Sequence, residues 1–208
     1  MKLYLTKTPR IIQQIFKNYT WRFSKGSKEI YLTFDDGPTP VITNWTLDIL
    51  KKYNAKATFF CIGENRIKEP RIYERILKEN HQIGNHTQDH KNGFKTPLKD
   101  YTKSVIEAEK HLDNPAKLFR PPYGRIKKKQ AHKLRKLGYT ILMWDVLSAD
   151  FDTSISKEKC LQNVIRNVEN GSIIVFHDSM KASDNLQYTL PKVLEHFSKN
   201  GYLFKKIS

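Results

Sequence analysis

The stretch Glu29-Ile30-Tyr31-Leu32-Thr33-Phe34-Asp35-Asp36-Gly37-Pro38 decides the fold. Its first six residues are rich in strand formers. Gly37-Pro38 then stops the strand, because glycine opens unusual dihedrals and proline has no N–H for a ladder. Two adjacent carboxylates are left at the C-terminal tip of a buried strand. Like charges so close repel, and a site that keeps both usually adds a cation or divides their tasks. By itself the stretch also fits a plain strand-ending turn, with Asp35 or Asp36 bonded to local N–H groups.

Outward from this strand the chain alternates. Ile42, Trp45, Ile49, Leu50 and Tyr53 recur with helical period, and Ala57 to Ile62 is a continuous apolar run of strand length. Pro70 opens a helix carrying Ile72, Ile76 and Leu77. Gln82 to His86 reads as a short strand, and Thr96-Pro97 begins a helix with Leu98, Tyr101, Val105, Ala108 and Leu112. Lys117 to Arg120 reads as a strand, Ile126 to Leu137 as a helix and Tyr139 to Trp144 as a strand. Leu161, Val164, Ile165 and Val168 mark a helix, Ser172 to Phe176 a buried strand. A helix opening at Thr189-Pro191 carries Val193, Leu194 and Phe197, and Tyr202 to Phe204 is the last strand. Ahead of them all, Thr8-Pro9 followed by Ile11, Ile12, Ile15 and Phe16 reads as a capped amphipathic helix covering one end of the fold.

About seven strands alternating with helices imply an α/β fold with parallel strands and right-handed crossovers. Asp35, Asp36, His86, Arg120, Asp150 and His177 fall at or just beyond strand C-termini. Side chains converging from so many strands suit the mouth of a barrel rather than an open sheet.

The 208 residues suffice for one domain, and 38% hydrophobic with 12% aromatic content suits a globular chain. Lys and Arg number 37 against 21 Asp and Glu, a net charge of +16. That balance favours acidic partners such as nucleic acid, anionic wall polymers or membrane surfaces without choosing among them. Two cysteines, Cys61 and Cys160, make no disulfide framework, and Cys61 sits in a core-like run. Met1 to Thr20 lacks the apolar block of a signal peptide, and no stretch approaches the ~20 apolar residues of a membrane span.

In Asn85-His86-Thr87-Gln88-Asp89-His90 the two histidines would share one face of a helical turn, as a metal site needs. Two imidazoles and a carboxylate form a facial set for Zn²⁺ or another divalent ion. In Arg120-Pro121-Pro122-Tyr123-Gly124 the prolines stiffen the backbone and would fix the direction of the Tyr123 N–H. Trp144 to Phe151 reads as a loop with two acids, Asp145 and Asp150. His177 closes the apolar run from Ser172, where a structural histidine is the ordinary reading.

These five segments, in this order, resemble the NodB-type polysaccharide deacetylases of carbohydrate esterase family 4, over about residues 29 to 206. The resemblance implies a distorted (β/α) barrel. It divides the chain into an N-terminal extension, residues 1–28, packed on a catalytic domain of residues 29–208. It implies one divalent metal on Asp36, His86 and His90, most simply Zn²⁺, with Co²⁺, Ni²⁺ or Mn²⁺ as substitutes. Asp35 would be the general base toward the attacking water, and Tyr123 N–H would help stabilise the oxyanion. His177 would be the general acid for the leaving amine, Arg120 would hold Asp35 and Asp150 would pair with His177. Phe151 replaces the family's usual tryptophan and Val175 its usual leucine, without touching a ligand or a proton-transfer group.

The implied activity is metal-dependent removal of N-acetyl groups from N-acetylglucosamine-containing glycans, such as peptidoglycan or chitin-like oligomers. The expected partner is an acetylated glycan, with no specific nucleic acid, no transmembrane segment and a monomeric chain. Family members are often secreted or envelope-associated. Two alternatives stand beside it. One is a related metal amidase acting on a small non-sugar amide. The other is a basic glycan- or nucleic-acid-binding protein, resting on the net charge and on Arg125, Lys127, Lys128, Lys129, Lys133, Arg135 and Lys136. The apolar face of Ile126, Ala131, Leu134 and Leu137 makes those cations the solvated side of a barrel helix.

Overall fold

The computed structural model describes residues 4–24 and 26–208; residues 1–3 and 25, inside the expected extension, lie outside the described residues. The strands are β1 (Glu29–Asp35), β2 (Ala57–Cys61), β3 (Gln82–Asn85), β4 (Leu118–Phe119), β5 (Thr140–Ile141), β6 (Val146–Leu147), β7 (Ile173–His177) and β8 (Leu203–Phe204). The helices are α1 (Arg10–Ile15), α2 (Ile42–Lys52), α3 (Gly63–Lys68), α4 (Pro70–Lys78), α5 (Leu98–Glu109), α6 (Lys128–Lys136), α7 (Lys157–Ile165) and α8 (Ser183–Lys199).

All strand pairs are parallel, in the order β5-β4-β3-β2-β1-β7-β6, with β8 on the first residues of β1. The two ends of the sheet, β5 and β6, are consecutive in the chain and joined by Leu142–Asp145. The sheet therefore curls into the expected (β/α) barrel, distorted because β5 and β6 do not pair.

Period-two alternation gives each strand two destinations. Ile30, Leu32 and Phe34 of β1, Ala57, Phe59 and Cys61 of β2, and Ile174 and Phe176 of β7 face the helices in the main core. Phe34 stacks between Phe59 and Phe176, with ring centroids at 5.0 and 5.9 Å. The intervening residues point the other way. Phe60 and Ile173 join Leu118, Leu142 and Ile207 in a second cluster, with Tyr31 packed on it. On that same face of β1, Thr33 and Asp35 carry polar groups up to the C-terminal end of the strand. Both cysteines are free and buried.

Three expected elements come out differently, and one helix was not expected at all. The strand read as Tyr139 to Trp144 ends at Ile141, because Asp145 N–H turns to Ile173 O of β7 and starts β6. The helix placed at Thr189-Pro191 begins at Ser183 and carries Pro191 in its interior. An interior proline costs about 3 kcal/mol, and burial of Leu186, Leu190, Val193, Leu194 and Phe197 exceeds that. Helix α3 has too short an apolar pattern to be read from periodicity.

The N-terminal helix is neither capped by Thr8 nor buried. Thr8 Oγ1 donates to Trp144 O at 2.9 Å, and no residue of α1 is buried. Ile11 and Ile15 are 65% and 68% exposed. The flanking extended residues contact the barrel instead. Thr8 N–H donates to Asp145 O, Leu147 N–H to Thr6 O, Thr20 N–H to Ile141 O and Phe23 N–H to Gly171 O. These bonds occupy backbone groups on or beside β5, β6 and the start of β7.

Candidate active site

Strand β1 delivers Asp35 and Asp36 together, but their carboxylates part. Asp35 is buried, and its Oδ1 accepts from Arg120 NH1 at 2.8 Å. Arg120 is itself wholly buried. NH1 also donates to Thr33 Oγ1 at 2.7 Å and NH2 to Met143 O at 3.0 Å, while the guanidinium lies 4.1 Å above the Phe60 ring. Burial pulls the Arg120 pKa down and Asp35 opposes it. A charge-assisted bond between two buried ions fixes geometry where either ion alone would be costly.

Asp36 turns away because its backbone adopts φ 81. Its Oδ1 lies 3.2 Å from His90 Nε2 and 3.7 Å from His86 Nε2. The three ligand atoms of Asp36, His86 and His90 all fall within 4.8 Å of one another. The expected helical turn does not bring the histidines together. The segment after β3 is a loop in which Thr87 and His90 have φ 67 and 54. It is held by Gly63 N–H on Thr87 O, Glu64 N–H on Gln88 O, and Thr87 N–H on Asn85 Oδ1 at 2.9 Å.

These donors fit a divalent cation. His86 Nδ1 lies 2.8 Å from Arg120 O, so it carries the proton and Nε2 keeps its lone pair toward Asp36. Asp36 Oδ1 is buried without a well-formed hydrogen bond. A cation between an acceptor oxygen and an imine nitrogen that face each other would satisfy both. Burial lowers the His86 pKa to about 4, which keeps the ring neutral and ligand-ready. Burial acts to raise the Asp36 pKa, but the contact with His90 and the charges of His177 and His86 hold the carboxyl below the usual range.

Across the mouth, His177 ends β7. Asp150 binds it twice, Oδ1 to the ring Nδ1 at 2.8 Å and Oδ2 to the backbone N–H at 2.7 Å. Burial works to lower the His177 pKa, but the Asp150 charge and hydrogen bond raise it to about 9. Phe151 sets its ring edgewise on His177 at 5.1 Å, so the residue at the family's tryptophan position keeps an apolar wall. Tyr123, with φ 61, is 61% exposed, and its ring lies 4.6 Å from that of His90.

Three contributors went unassigned in the sequence. Thr33 shares the Arg120 guanidinium, Asn65 Nδ2 donates to Asp36 O at 2.7 Å, and Asp178 accepts from Gly37 N–H at 3.1 Å. Asp178 adjoins His177 and stood in view. Asn65 lies on the unread helix α3 and had no signal.

Comparison with known proteins gives the family. The family model described as polysaccharide deacetylase matches residues 23–142. A peptidoglycan-N-acetylglucosamine deacetylase of Bacillus cereus is 32% identical over 193 residues, 91% of each chain. A chitooligosaccharide deacetylase of Azorhizobium caulinodans is 32% identical over 76% of this chain and 77% of its own. The chain also spans 39% of a Listeria monocytogenes peptidoglycan-N-acetylglucosamine deacetylase at 33% identity. The crystal structure of a peptidoglycan N-acetylglucosamine deacetylase superposes with a TM-score of 0.87 and 33% identity, covering 96% of this chain and 95% of that one. The chain thus belongs to the polysaccharide deacetylases of carbohydrate esterase family 4.

Proposed function

We propose that the chain removes N-acetyl groups from N-acetylglucosamine units of peptidoglycan, with one Zn²⁺ held by Asp36, His86 and His90. The observation that carries this is the convergence of those three donors between two hydrogen-bonded pairs, Asp35–Arg120 and Asp150–His177. The named activities of the relatives, on peptidoglycan and on chitooligosaccharide, support a glycan over a small amide. The reading places the chain's work in the cell envelope; no described helix is long and apolar enough to cross a membrane. Residues 29–208 act as the catalytic domain, with the preceding segment as its support.

A divalent ion in this site supplies Lewis acidity toward the acetyl carbonyl and a water molecule. Asp35 accepts the proton of the attacking water, and Arg120 keeps its carboxylate in place. Tyr123 N–H donates to the oxyanion that forms at the acetyl carbon. His177 holds its proton through neutral pH and passes it from Nε2 to the amine nitrogen as the C–N bond breaks. Asp150, on Nδ1, stabilises the charged ring and fixes which nitrogen faces the substrate.

The test is acetate release from N-acetylglucosamine oligomers and from isolated peptidoglycan, before and after chelation and after Zn²⁺ is restored. Release from both, lost on chelation and regained with zinc, is expected. Hydrolysis of a small non-sugar amide with both glycans left intact would sink the reading.

A further inference from the structure

Asp178 takes no part in the steps above, yet it is wholly buried at the end of β7. Its Oδ1 accepts from Gly37 N–H at 3.1 Å and its Oδ2 from Thr43 Oγ1 at 2.5 Å. Thr43 Oγ1 in turn accepts from Thr39 N–H at 2.7 Å. The Asp178 N–H donates to Asp35 O at 3.1 Å. One residue therefore grips the peptides on both sides of Asp36. A Cβ on Gly37 would collide with the Asp178 carboxylate, so the glycine of the Asp-Asp-Gly turn leaves the room this group occupies.

Asp36 needs holding. With φ 81 it lies in the left-handed region, and such conformations persist only where the surroundings over-determine them. That φ turns its carboxylate from the Arg120 side toward His86 and His90. Asn65 Nδ2 on Asp36 O and Ile62 N–H on Gly37 O at 3.0 Å steady the turn from the α3 side. Burying a carboxylate is costly, and in return Asp178 supplies acceptors where a strained turn has donors.

We propose that Asp178, oriented by Thr43, is the positioning residue that holds Asp36 in its metal-ligand conformation. The proposal rests on the reading of Asp36 as a ligand. It touches neither substrate nor metal; it acts through the Gly37 and Asp35 peptides.

The experiment titrates metal-free protein with Zn²⁺ against a chromophoric chelator, with thermal midpoints measured in parallel. The chains compared are wild type, Asp178→Ala, Asp178→Asn, Thr43→Val and, as a control, Leu194→Ala, which opens the helix core far from the turn. Losing an outer-shell partner typically weakens metal binding about 10–100-fold, and Asp178→Ala should do so. Asp178→Asn should recover most of the affinity, because its amide oxygen still accepts from Gly37 N–H and its NH₂ reaches Thr43 Oγ1. Thr43→Val should weaken binding several-fold. Leu194→Ala should lower the midpoint and leave affinity alone.

Wild-type affinity in Asp178→Ala or in Thr43→Val overturns the proposal, as does an equal loss in Leu194→Ala. Should Asp178→Ala not fold, Thr43→Val decides alone. A wild type that binds no zinc sinks the ligand assignment along with the proposal. A wild type that binds zinc but frees no acetate from glycans defeats only the substrate reading and leaves the affinity comparison standing.

Discussion

Asp35 and Asp36 are neighbours with opposite surroundings, and their amide variants should separate accordingly. Asp35→Asn keeps a similar shape but cannot take a proton from water. Turnover should fall about 10²–10⁴-fold while metal content by elemental analysis stays at wild type. Asp36→Asn should instead lose metal. The opposite pattern would reverse the assignments. His177 offers a second separation. With its pKa raised to about 9, it is protonated below that pH and loses its proton as pH rises through it. As the proposed acid catalyst it should therefore set the alkaline limb of kcat/KM. Asp150→Asn removes the negative charge that favours the imidazolium, so the limb should move to lower pH with metal content unchanged. A limb that stays in place would leave Asp150 a structural acid. The candidate site residues that the structure brings together were legible in the sequence because they fall in short motifs at strand ends. Thr33 and Asn65 were not, since a hydroxyl on a strand and an amide on a six-residue helix acquire a task only when another chain segment arrives beside them.

At the scale of elements, the long apolar runs were readable and the short or interrupted ones were not. β1, β2 and β7 announce themselves because both their faces are covered. β5 and β6 are two residues each, and what defines them is pairing rather than composition. The histidine loop was misread as helix because i and i+4 spacing has two solutions. Here Thr87 and His90 in the left-handed region supply the other one. The N-terminal segment was misread in a different way. Its value lies in backbone bonds and in Lys7, whose Nζ meets the wholly buried Asp145 at 3.0 Å and Asn167 O at 2.6 Å. Burial raises the Asp145 pKa, while Lys7 opposes the shift. Lys7→Ala should cost about 1–3 kcal/mol, read as a lower thermal midpoint. The deficit should shrink as pH falls, because a protonated Asp145 no longer needs the cation. An unchanged midpoint at neutral pH would mean Ser172 and Ile173 satisfy Asp145 unaided.

For the whole molecule, the net charge of +16 adds nothing to the chemistry but bears on encounter. Salt screens such attraction over about 8–10 Å at physiological strength. Deacetylation of an anionic, insoluble wall preparation should therefore slow as salt rises, while rates on neutral N-acetylglucosamine oligomers should hold. Equal sensitivity of both substrates would mean that the charge serves solubility alone. The alternation of strands and helices pointed to a parallel α/β fold, and the polar residues at the strand C-termini pointed to a barrel; how it closes was hidden, because that depends on Leu142–Asp145 linking the two sheet ends. The position of β1 has a consequence for the way the chain is made. It pairs with β2 early in the sequence, but with residues 173–177 and 203–204 on its other contacts. During synthesis on the ribosome, the strand that ends in the two aspartates must wait with one edge bare until residues 173–177 have been made. A nascent chain stalled short of β7 would present that bare edge to any other strand nearby, so chaperone demand should persist until β7 emerges and fall once it docks.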